Sequence, residues 1–245
     1  RIAFVDKQVA ARVRLGAKAE AERRVALVLS NYPDRDGRIA NGVGLDTPES
    51  AVRLAAALRE AGYSLPEFPR TSAELMGTLL GGVTGDRASV ARAADGTPSL
   101  SLAEYTAFLG GVPEAQKAEL MARWGAPQAD PFFREGAFRL SVHRFGNVVV
   151  AIQPQRGYGI DPKATYHDPD LVPPHHYLAF YAWLRRSFAA DAIVHLGKHG
   201  NTEWLPGKAL GLSASCWPEI ALGPTPLVYP FLVNDPGEGS QAKRR

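Results

Sequence analysis

The sequence predicts an α/β protein in which flanking helices cover a parallel or mixed sheet. Three short apolar runs, residues 24–30, 191–196 and 227–233, have the length and β-branched content of buried strands. A helical pattern follows the first run and another precedes the second, and such alternation is typical of parallel sheets. The 245 residues, 45% of them hydrophobic, are enough for a sizeable core.

The first part of the chain predicts a helix, a strand and a second helix. Apolar positions at helical spacing in residues 1–22 indicate an amphipathic helix, and residues 24–30 indicate a buried strand. Residues 48–62 predict the second helix, with Thr47 as its N-cap. The glycines of the intervening loop lack the GxGxxG spacing of nucleotide sites, so a close turn is favoured over phosphate binding.

The middle of the chain is predicted to be mainly helical. Residues 71–136 are rich in alanine, and Ser101 and Glu104 have the spacing of a capping box, so we interpret this stretch as a helical insertion or lid. Residues 138–142 and 148–153 predict a hairpin. The expected portions are a strand-loop-helix unit at 1–70, the helical insertion at 71–136, and an α/β unit carrying the site at 137–245.

A long irregular stretch precedes the second apolar run. Residues 154–176 are rich in Pro, Gly and Asp, and a loop of this length in a compact domain is more often functional than neutral. A helix at 175–189 follows it. The loop residues that can contact a charged or aromatic ligand are Arg156, Lys163, Tyr166, His167 and Asp168.

Charge and cysteine content exclude some classes of protein. The 28 basic and 25 acidic residues leave a formal charge of +3, too small and too scattered to indicate nucleic-acid binding. No apolar run has the length of a membrane span. A single cysteine, Cys216, excludes an internal disulfide and predicts a cytoplasmic location. Because the chain lacks an initiator Met and stops at QAKRR, we expect it to be a piece of a longer polypeptide.

The candidate site lies in residues 191–208, which read DAIVHLGKHGNTEWLPGK. A buried strand that ends in a glycine-broken loop is where α/β proteins often hold their chemistry. His195, His199 and Glu203 are four residues apart, but the intervening glycines disfavour a helix, so a folded loop must bring them together. Imidazole and carboxylate ligands suit divalent cobalt, nickel or zinc. The alternative is that both histidines are structural and bond to loop carbonyls.

The other polar residues of this run also allow two interpretations. Glu203 is either a base whose pKa is raised beside Trp204 and two imidazoles, or an ordinary solvated carboxylate. Lys198 and Lys208 are either surface lysines or partners of an anionic substrate. The segment GNTEWLPGKAL is not a P-loop, because six residues instead of four separate its glycines and Ala209 replaces the Ser or Thr that binds Mg²⁺.

Several long motifs in the same order resemble one protein family. The motifs are YHDPDLVPPHHYLAFYAWL, HLGKHGNTEWLPGKALGLS and PLVYPFLVNDPGEGSQAKRR. They resemble the large subunit of ATP-dependent cobaltochelatase, the CobN type, which is related to the H subunit of magnesium chelatase. The resemblance is strongest over residues 148–245 and extends back to Arg24. Lys198 and Trp204 are similar to the cobalt branch, since magnesium-type relatives tend to have Thr and Phe there.

The resemblance implies an enzyme of aerobic cobalamin biosynthesis. The family subunit binds a corrinoid, hydrogenobyrinic acid a,c-diamide, and receives Co²⁺ as the substrate metal. Two partner subunits related to AAA+ ATPases hydrolyse ATP with Mg²⁺. On this basis His195, His199 and Glu203 are expected to pass the metal and accept protons from the ring nitrogens. The candidate substrate-binding residues are Lys198, Trp204, Lys208, Arg156, Tyr166 and His167.

Three alternatives stay open at this point. The first is a magnesium chelatase protein of the H type that inserts Mg²⁺ into protoporphyrin IX. The second is a metal-dependent hydrolase with the two histidines as permanent zinc ligands. The third is a tetrapyrrole-binding module without a catalytic role.

Overall fold

The computed structural model of the chain describes residues 1–31, 39–42, 44–158, 168–197 and 202–230. The α-helices are α1 (Ile2–Ala17), α2 (Thr47–Glu60), α3 (Ser72–Gly81), α4 (Leu102–Leu109), α5 (Glu114–Trp124), α6 (His175–Ala182) and α7 (Trp217–Leu222). The strands are β1 (Val25–Leu29), β2 (Asn41–Gly42), β3 (Leu45–Asp46), β4 (Ser99–Ser101), β5 (Phe133–Arg134), β6 (Ala137–Arg139), β7 (Val142–Phe145), β8 (Val148–Ile152), β9 (Ala192–Leu196) and β10 (Leu227–Val228).

A five-stranded sheet forms the centre of the molecule. Its order is β10-β9-β1-β8-β7. The first four of these strands are parallel, and β7 pairs antiparallel with β8. In the register, Leu29 of β1 lies between Ile152 of β8 and Leu196 of β9, so the carboxyl ends of three strands meet at one edge. This mixed sheet with flanking helices confirms the predicted α/β class.

Alternate residues of the parallel strands face two separate cores. Leu27 and Leu29 of β1 pack with α2 and α3 on one face of the sheet. Ala26 and Val28 pack with α4, α6 and α7 on the other face. Because both faces are covered, the central strands are continuous apolar runs, which is the pattern that revealed them in the sequence.

The helix after β1 begins differently from the prediction. The N-cap of α2 is Asp46, whose side chain accepts a hydrogen bond from the amide of Glu49 at 3.0 Å, and Thr47 is the first helical residue. An aspartate at this position satisfies an otherwise unbonded amide and places negative charge at the positive end of the helix. The capping box of Ser101 and Glu104, at the start of α4, is confirmed.

A small antiparallel sheet within residues 99–139 was not predicted. Its order is β4-β6-β5, so the stretch interpreted as helical, residues 71–136, also contains the two strands β4 and β5. The hairpin formed by β7 and β8 therefore begins at Val142, not at residue 138 as predicted. Strands of two or three residues are too short for an alternating pattern to reveal them. The hairpin turns at Gly146, which has φ of 62° and no room for a Cβ beside Pro66.

Helix α1 lies at the periphery of the molecule. The sequence predicted it correctly, but its apolar residues Ile2 (87% exposed), Val9 and Val13 stay exposed in the part of the chain that the structure describes. An ion pair of 2.7 Å between Lys18 Nζ and Asp191 ties its end to the start of β9. None of the helices among the described residues combines the length and apolarity that crossing a membrane requires.

Candidate functional site

Polar side chains from several elements meet at the carboxyl edge of the central sheet. Parallel strands align their carboxyl ends, and the loops beyond them are the usual place for a site in this architecture. The residues that the structure places there are Gln153 after β8, Tyr181 in α6, His195 in β9, Glu203 in a 3₁₀ turn (Thr202–Trp204), and Tyr229 after β10.

His195 lies one residue before the carboxyl end of β9. Ile193, two residues earlier, packs in the core on the α6 side of the sheet, and the period of a strand places His195 on that same face. His195 is 3% exposed, and its Nε2 atom lies 3.2 Å from the hydroxyl of Tyr181. That hydroxyl in turn donates to Oε1 of Gln153 at 2.9 Å. Strand and helix together therefore hold the imidazole in one orientation.

Glu203 reaches the same place from the turn that follows the strand. This residue is 4% exposed, and its Oε1 accepts a hydrogen bond of 2.8 Å from the hydroxyl of Tyr229. The hydroxyl of Thr202 lies 3.3 Å from Oε2. The ring of Tyr229 also meets the ring of His195 edge to face, with centroids 6.1 Å apart. One tyrosine thus contacts both the carboxylate and the imidazole that the sequence singled out.

The electrostatics of this edge act on a further buried phenol, Tyr177. Burial raises the pKa of Tyr177, and the nearby Tyr181 and Glu203 raise this pKa further, while Arg156 acts in the opposite direction. The phenol therefore stays protonated.

Arg156 is a buried connector between two loops. It is 2% exposed, and its guanidinium donates to the carbonyl of Asp168 at 2.7 Å and to the carbonyl of Trp204 at 2.9 Å. A longer contact of 3.5 Å reaches the carbonyl of Leu171. These bonds join the end of the long irregular stretch to the turn that carries Glu203. The substrate-binding role of Arg156 stays a prediction.

The turn after Glu203 packs against the single cysteine. The amide of Lys208 donates to Sγ of Cys216 at 3.4 Å, and the lysine side chain is exposed. Gly207 has φ of 142°, and a Cβ there would lie 2.8 Å from Cβ of Cys216. Burial acts to raise the pKa of the thiol, but hydrogen bonds from Ser213 and from the Lys208 amide bring the pKa below its usual value. Trp204 is half-buried in the same turn.

The remaining predicted site residues lie outside the described residues. They are Lys163, Tyr166, His167, Lys198 and His199. Within the described residues, no group of three or more His, Cys, Asp or Glu side chains forms a possible metal site. The ligand set of His195, His199 and Glu203 therefore stays a prediction, of which the structure places His195 and Glu203 near one another through Tyr229.

Sequence reasoning missed three polar residues at this edge, Gln153, Tyr181 and Tyr229. Tyr181 lies within the predicted helix at 175–189 and Tyr229 within the apolar run 227–233, and neither pattern marks a site residue. One signal was available for Gln153, because a polar residue directly after a fully apolar strand marks the strand's carboxyl end. The pairing of the tyrosines with His195 and Glu203 depends on contacts between distant segments and has no local signal.

Comparison with known proteins places the chain in a family. The family model described as CobN/Magnesium Chelatase matches residues 1–245. The chain belongs to this family.

Relatives in the CobN/magnesium chelatase family are much longer than this chain. The aerobic cobaltochelatase subunit CobN of Pseudomonas aeruginosa is 54% identical over 248 residues, covering 100% of this chain and 20% of that protein. The H subunit of magnesium chelatase from Chlorobaculum parvum is 33% identical over 247 residues, covering 100% of this chain and 19% of that protein.

A solved structure in the CobN/magnesium chelatase family is also similar. The catalytic subunit of cobaltochelatase from Mycobacterium tuberculosis is 44% identical, with a TM-score of 0.82, and the match covers 99% of this chain and 20% of that chain. The chain therefore spans about a fifth of the length of these relatives.

Proposed function

We propose that this chain is the part of a cobaltochelatase large subunit at which Co²⁺ enters a metal-free corrinoid, hydrogenobyrinic acid a,c-diamide. The observation that carries the proposal is the arrangement of Glu203 and His195 around Tyr229 at the carboxyl edge of the sheet. The identity of 54% to an aerobic cobaltochelatase subunit, against 33% to the H subunit of a magnesium chelatase, favours cobalt over magnesium.

Insertion of a divalent cation into a free-base macrocycle releases the protons of the ring N–H groups, so the site needs a base. Glu203 suits this role because it is buried beside aromatic rings and accepts a hydrogen bond from Tyr229. That hydrogen bond holds the carboxylate in place while Oε2 can receive a proton.

The metal must also lose water and reach the ring on ligands that can exchange. Imidazole and carboxylate groups are suitable ligands for Co²⁺. His195 lies near the end of β9, where Tyr229 contacts both its ring and the Glu203 carboxylate, and His199 follows four residues later in the sequence. Both histidines are proposed to present the metal without retaining it.

A corrinoid is flat and carries negatively charged side chains, so its site requires aromatic surface and cations. We assign these roles to Trp204, Tyr166, His167, Lys198 and Lys208. Arg156 supports the turn that carries Glu203 through its hydrogen bond to the carbonyl of Trp204. Partner subunits related to AAA+ ATPases are proposed to supply ATP hydrolysis, and the complex is expected to act in the cytoplasm.

The test is a titration of the full-length subunit with metal-free corrinoid and with protoporphyrin, followed by absorbance. We expect tighter binding of the corrinoid and, once the ATPase subunits are added, insertion of Co²⁺. Tighter binding of the porphyrin with Mg²⁺ insertion would instead establish a magnesium chelatase protein of the H type. Stoichiometric zinc without corrinoid binding would favour the hydrolase alternative.

A further inference from the structure

A chain of hydrogen bonds through Tyr181 and Gln153 fixes the side chain of His195. Oε1 of Gln153 accepts the hydroxyl proton of Tyr181 at 2.9 Å, and the same hydroxyl oxygen lies 3.2 Å from Nε2 of His195. A phenol has a single proton to donate. With the Gln153 side-chain amide in this orientation, Tyr181 donates its proton to Oε1, so its oxygen accepts from the imidazole and the proton of the neutral ring is on Nε2.

We propose that Gln153 and Tyr181 are positioning residues that hold His195 in the Nε2–H tautomer and so leave the lone pair of the neutral ring on Nδ1. The consequence for function rests on the proposed chelatase activity: Nδ1 is then the nitrogen that can bind an incoming Co²⁺ ion. In protein metal sites, the hydrogen bond at one ring nitrogen commonly sets which nitrogen is the ligand.

The burial of the three groups makes this arrangement specific. Tyr181 is fully buried, and Gln153 and His195 are each 3% exposed, so water does not compete freely for these hydrogen bonds. The backbone of Gln153 is also held in place, since its main-chain N–H donates to the carbonyl of Leu29 at 2.9 Å. In the neighbouring core, Tyr177 packs against Tyr181 with ring centroids 5.2 Å apart and limits the movement of the phenol.

The orientation of the Gln153 amide is what selects the tautomer. If the side-chain amide of Gln153 were reversed, its NH₂ group would donate to the Tyr181 hydroxyl. The phenol would then donate to Nε2 of His195, and the proton of the neutral ring would be on Nδ1. The two arrangements therefore predict opposite proton positions on His195. A measurement of that position distinguishes them directly.

The same fold supplies a matched control in a second buried tyrosine–histidine pair. The hydroxyl of Tyr105 lies 2.8 Å from Nδ1 of His175, and both residues are fully buried. This pair connects α4 with the start of α6 and lies outside the candidate site. Tyr105→Phe and Tyr181→Phe therefore each remove one hydroxyl from a buried tyrosine–histidine contact.

The experiment uses the full-length subunit labelled with ¹⁵N at the histidine ring nitrogens. Solid-state NMR of the sedimented protein reports the tautomer of each ring, and loss of a signal in His195→Gln identifies the ring of interest. We expect the Nε2–H pattern for His195 in the wild-type protein and in Tyr105→Phe. Tyr181→Phe removes the acceptor and should give a mixture of tautomers.

Cobalt insertion is then measured for the same proteins with the ATPase subunits. We expect Tyr181→Phe to lower the turnover number by roughly 10- to 100-fold, as removal of a partner of a metal-binding histidine typically does, with the KM for the corrinoid unchanged. Gln153→Glu keeps the acceptor for Tyr181, so this conservative variant should preserve the Nε2–H tautomer, whereas Gln153→Leu should lose it. Tyr105→Phe should leave the turnover unchanged.

Several results would overturn the inference. These are an Nδ1–H tautomer in the wild-type protein, an unchanged tautomer in Tyr181→Phe, or an equal loss of turnover in Tyr105→Phe. Absence of cobalt insertion by the wild-type complex would instead refute the proposed function, and the NMR spectra alone would then establish or refute the positioning of His195.

Discussion

Among the residues that the structure describes, two regions hold buried histidines, and they differ in the groups that the histidine rings contact. At the start of α6, His175 lies between the Tyr105 hydroxyl and the carbonyl of Gly125, and Nε2 of His176 lies 3.0 Å from the carbonyl of Arg139. At the end of β9, His195 instead contacts the side chains of Tyr181 and Tyr229.

Burial alone therefore does not distinguish a structural histidine from a candidate site. A main-chain carbonyl can only accept, so it commits a ring nitrogen permanently to an N–H group. Burial lowers the pKa of His176 to about 3, and this ring also stacks on Phe132 at 4.0 Å. The ring of His195 contacts the side chains of two tyrosines, and one of them, Tyr229, also donates a hydrogen bond to the carboxylate of Glu203. The region at the end of β9 therefore links an imidazole to a carboxylate through one side chain, as the candidate site requires.

The largest expected effect is that of removing the carboxylate from the β9 region. Glu203→Gln keeps the shape of the side chain but cannot accept a ring proton, so cobalt insertion should fall by roughly 100- to 10,000-fold. Absorbance titration should give unchanged corrinoid binding. Glu219→Gln is the matched control, because Glu219 is also buried but pairs with Arg1, the residue before α1. Full insertion activity in Glu203→Gln would refute the proposed role of this carboxylate as the base.

The next effect concerns Asp130, which lies beside the buried histidines of α6, and it depends on pH. Asp130 accepts a hydrogen bond of 3.0 Å from the amide of His176, and burial raises the pKa of this carboxyl from 3.8 to about 6. The folded state therefore binds the proton more tightly than the unfolded state. Burying the ionised carboxylate lowers the free energy of unfolding above pH 6, and this destabilisation is lost as the pH falls towards 4.

Asp130→Asn tests this linkage. As the pH is lowered from roughly 7 to 4, the free energy of unfolding of the wild-type chain should rise by up to about 3 kcal/mol relative to that of the variant. Urea unfolding at intervals across this range measures the difference. His176 contributes the opposite slope, because its lowered pKa favours the folded state only at higher pH, but this contribution is common to both proteins and cancels. A difference that does not change with pH would contradict the burial argument for Asp130.

A smaller effect is expected at the connector between the two loops of the site. Arg156→Met keeps most of the volume but removes the donors to the carbonyls of Asp168 and Trp204, which should cost about 2 to 3 kcal/mol. A lower urea midpoint with unchanged corrinoid affinity per folded molecule would indicate a supporting role. Unchanged stability with weakened corrinoid binding would instead support direct contact with the substrate.

The smallest effect is expected for the hydrogen bond that orients the carboxylate. Tyr229→Phe retains the ring against His195 but removes the donor to Glu203, which should raise the barrier to insertion by about 1 to 2 kcal/mol, roughly 5- to 30-fold in rate. Initial rates at saturating corrinoid measure this loss. If the double variant Glu203→Gln/Tyr229→Phe were slower than Glu203→Gln alone by the same factor, Tyr229 would be acting independently of Glu203.

Much of the fold was predictable because its signals are local. The strands β1 and β8 are continuous apolar runs, and β9 is apolar except for His195, since each strand has both faces covered. Ser101 and Glu104 indicate the cap of α4 directly. The strands β4, β5 and β6 were not predictable because they are two or three residues long. Asp46 was missed as the cap of α2 because Thr47 and Pro48 offered an equally plausible signal.

For the site, residue types and spacing identified the glycine-broken strand end after β9 as a candidate, and the long motifs separately carried the resemblance to the chelatase family. Both are features of the linear sequence. The partners of each side chain came from the tertiary structure. Gln153, Tyr181, His195 and Tyr229 lie in four segments that meet only when β8, β9 and β10 align and α6 packs across them. Long-range packing also made Arg156 a connector of loops and gave His175 and His195 different partners, because hydrogen bonds between distant segments leave no periodic trace in the sequence.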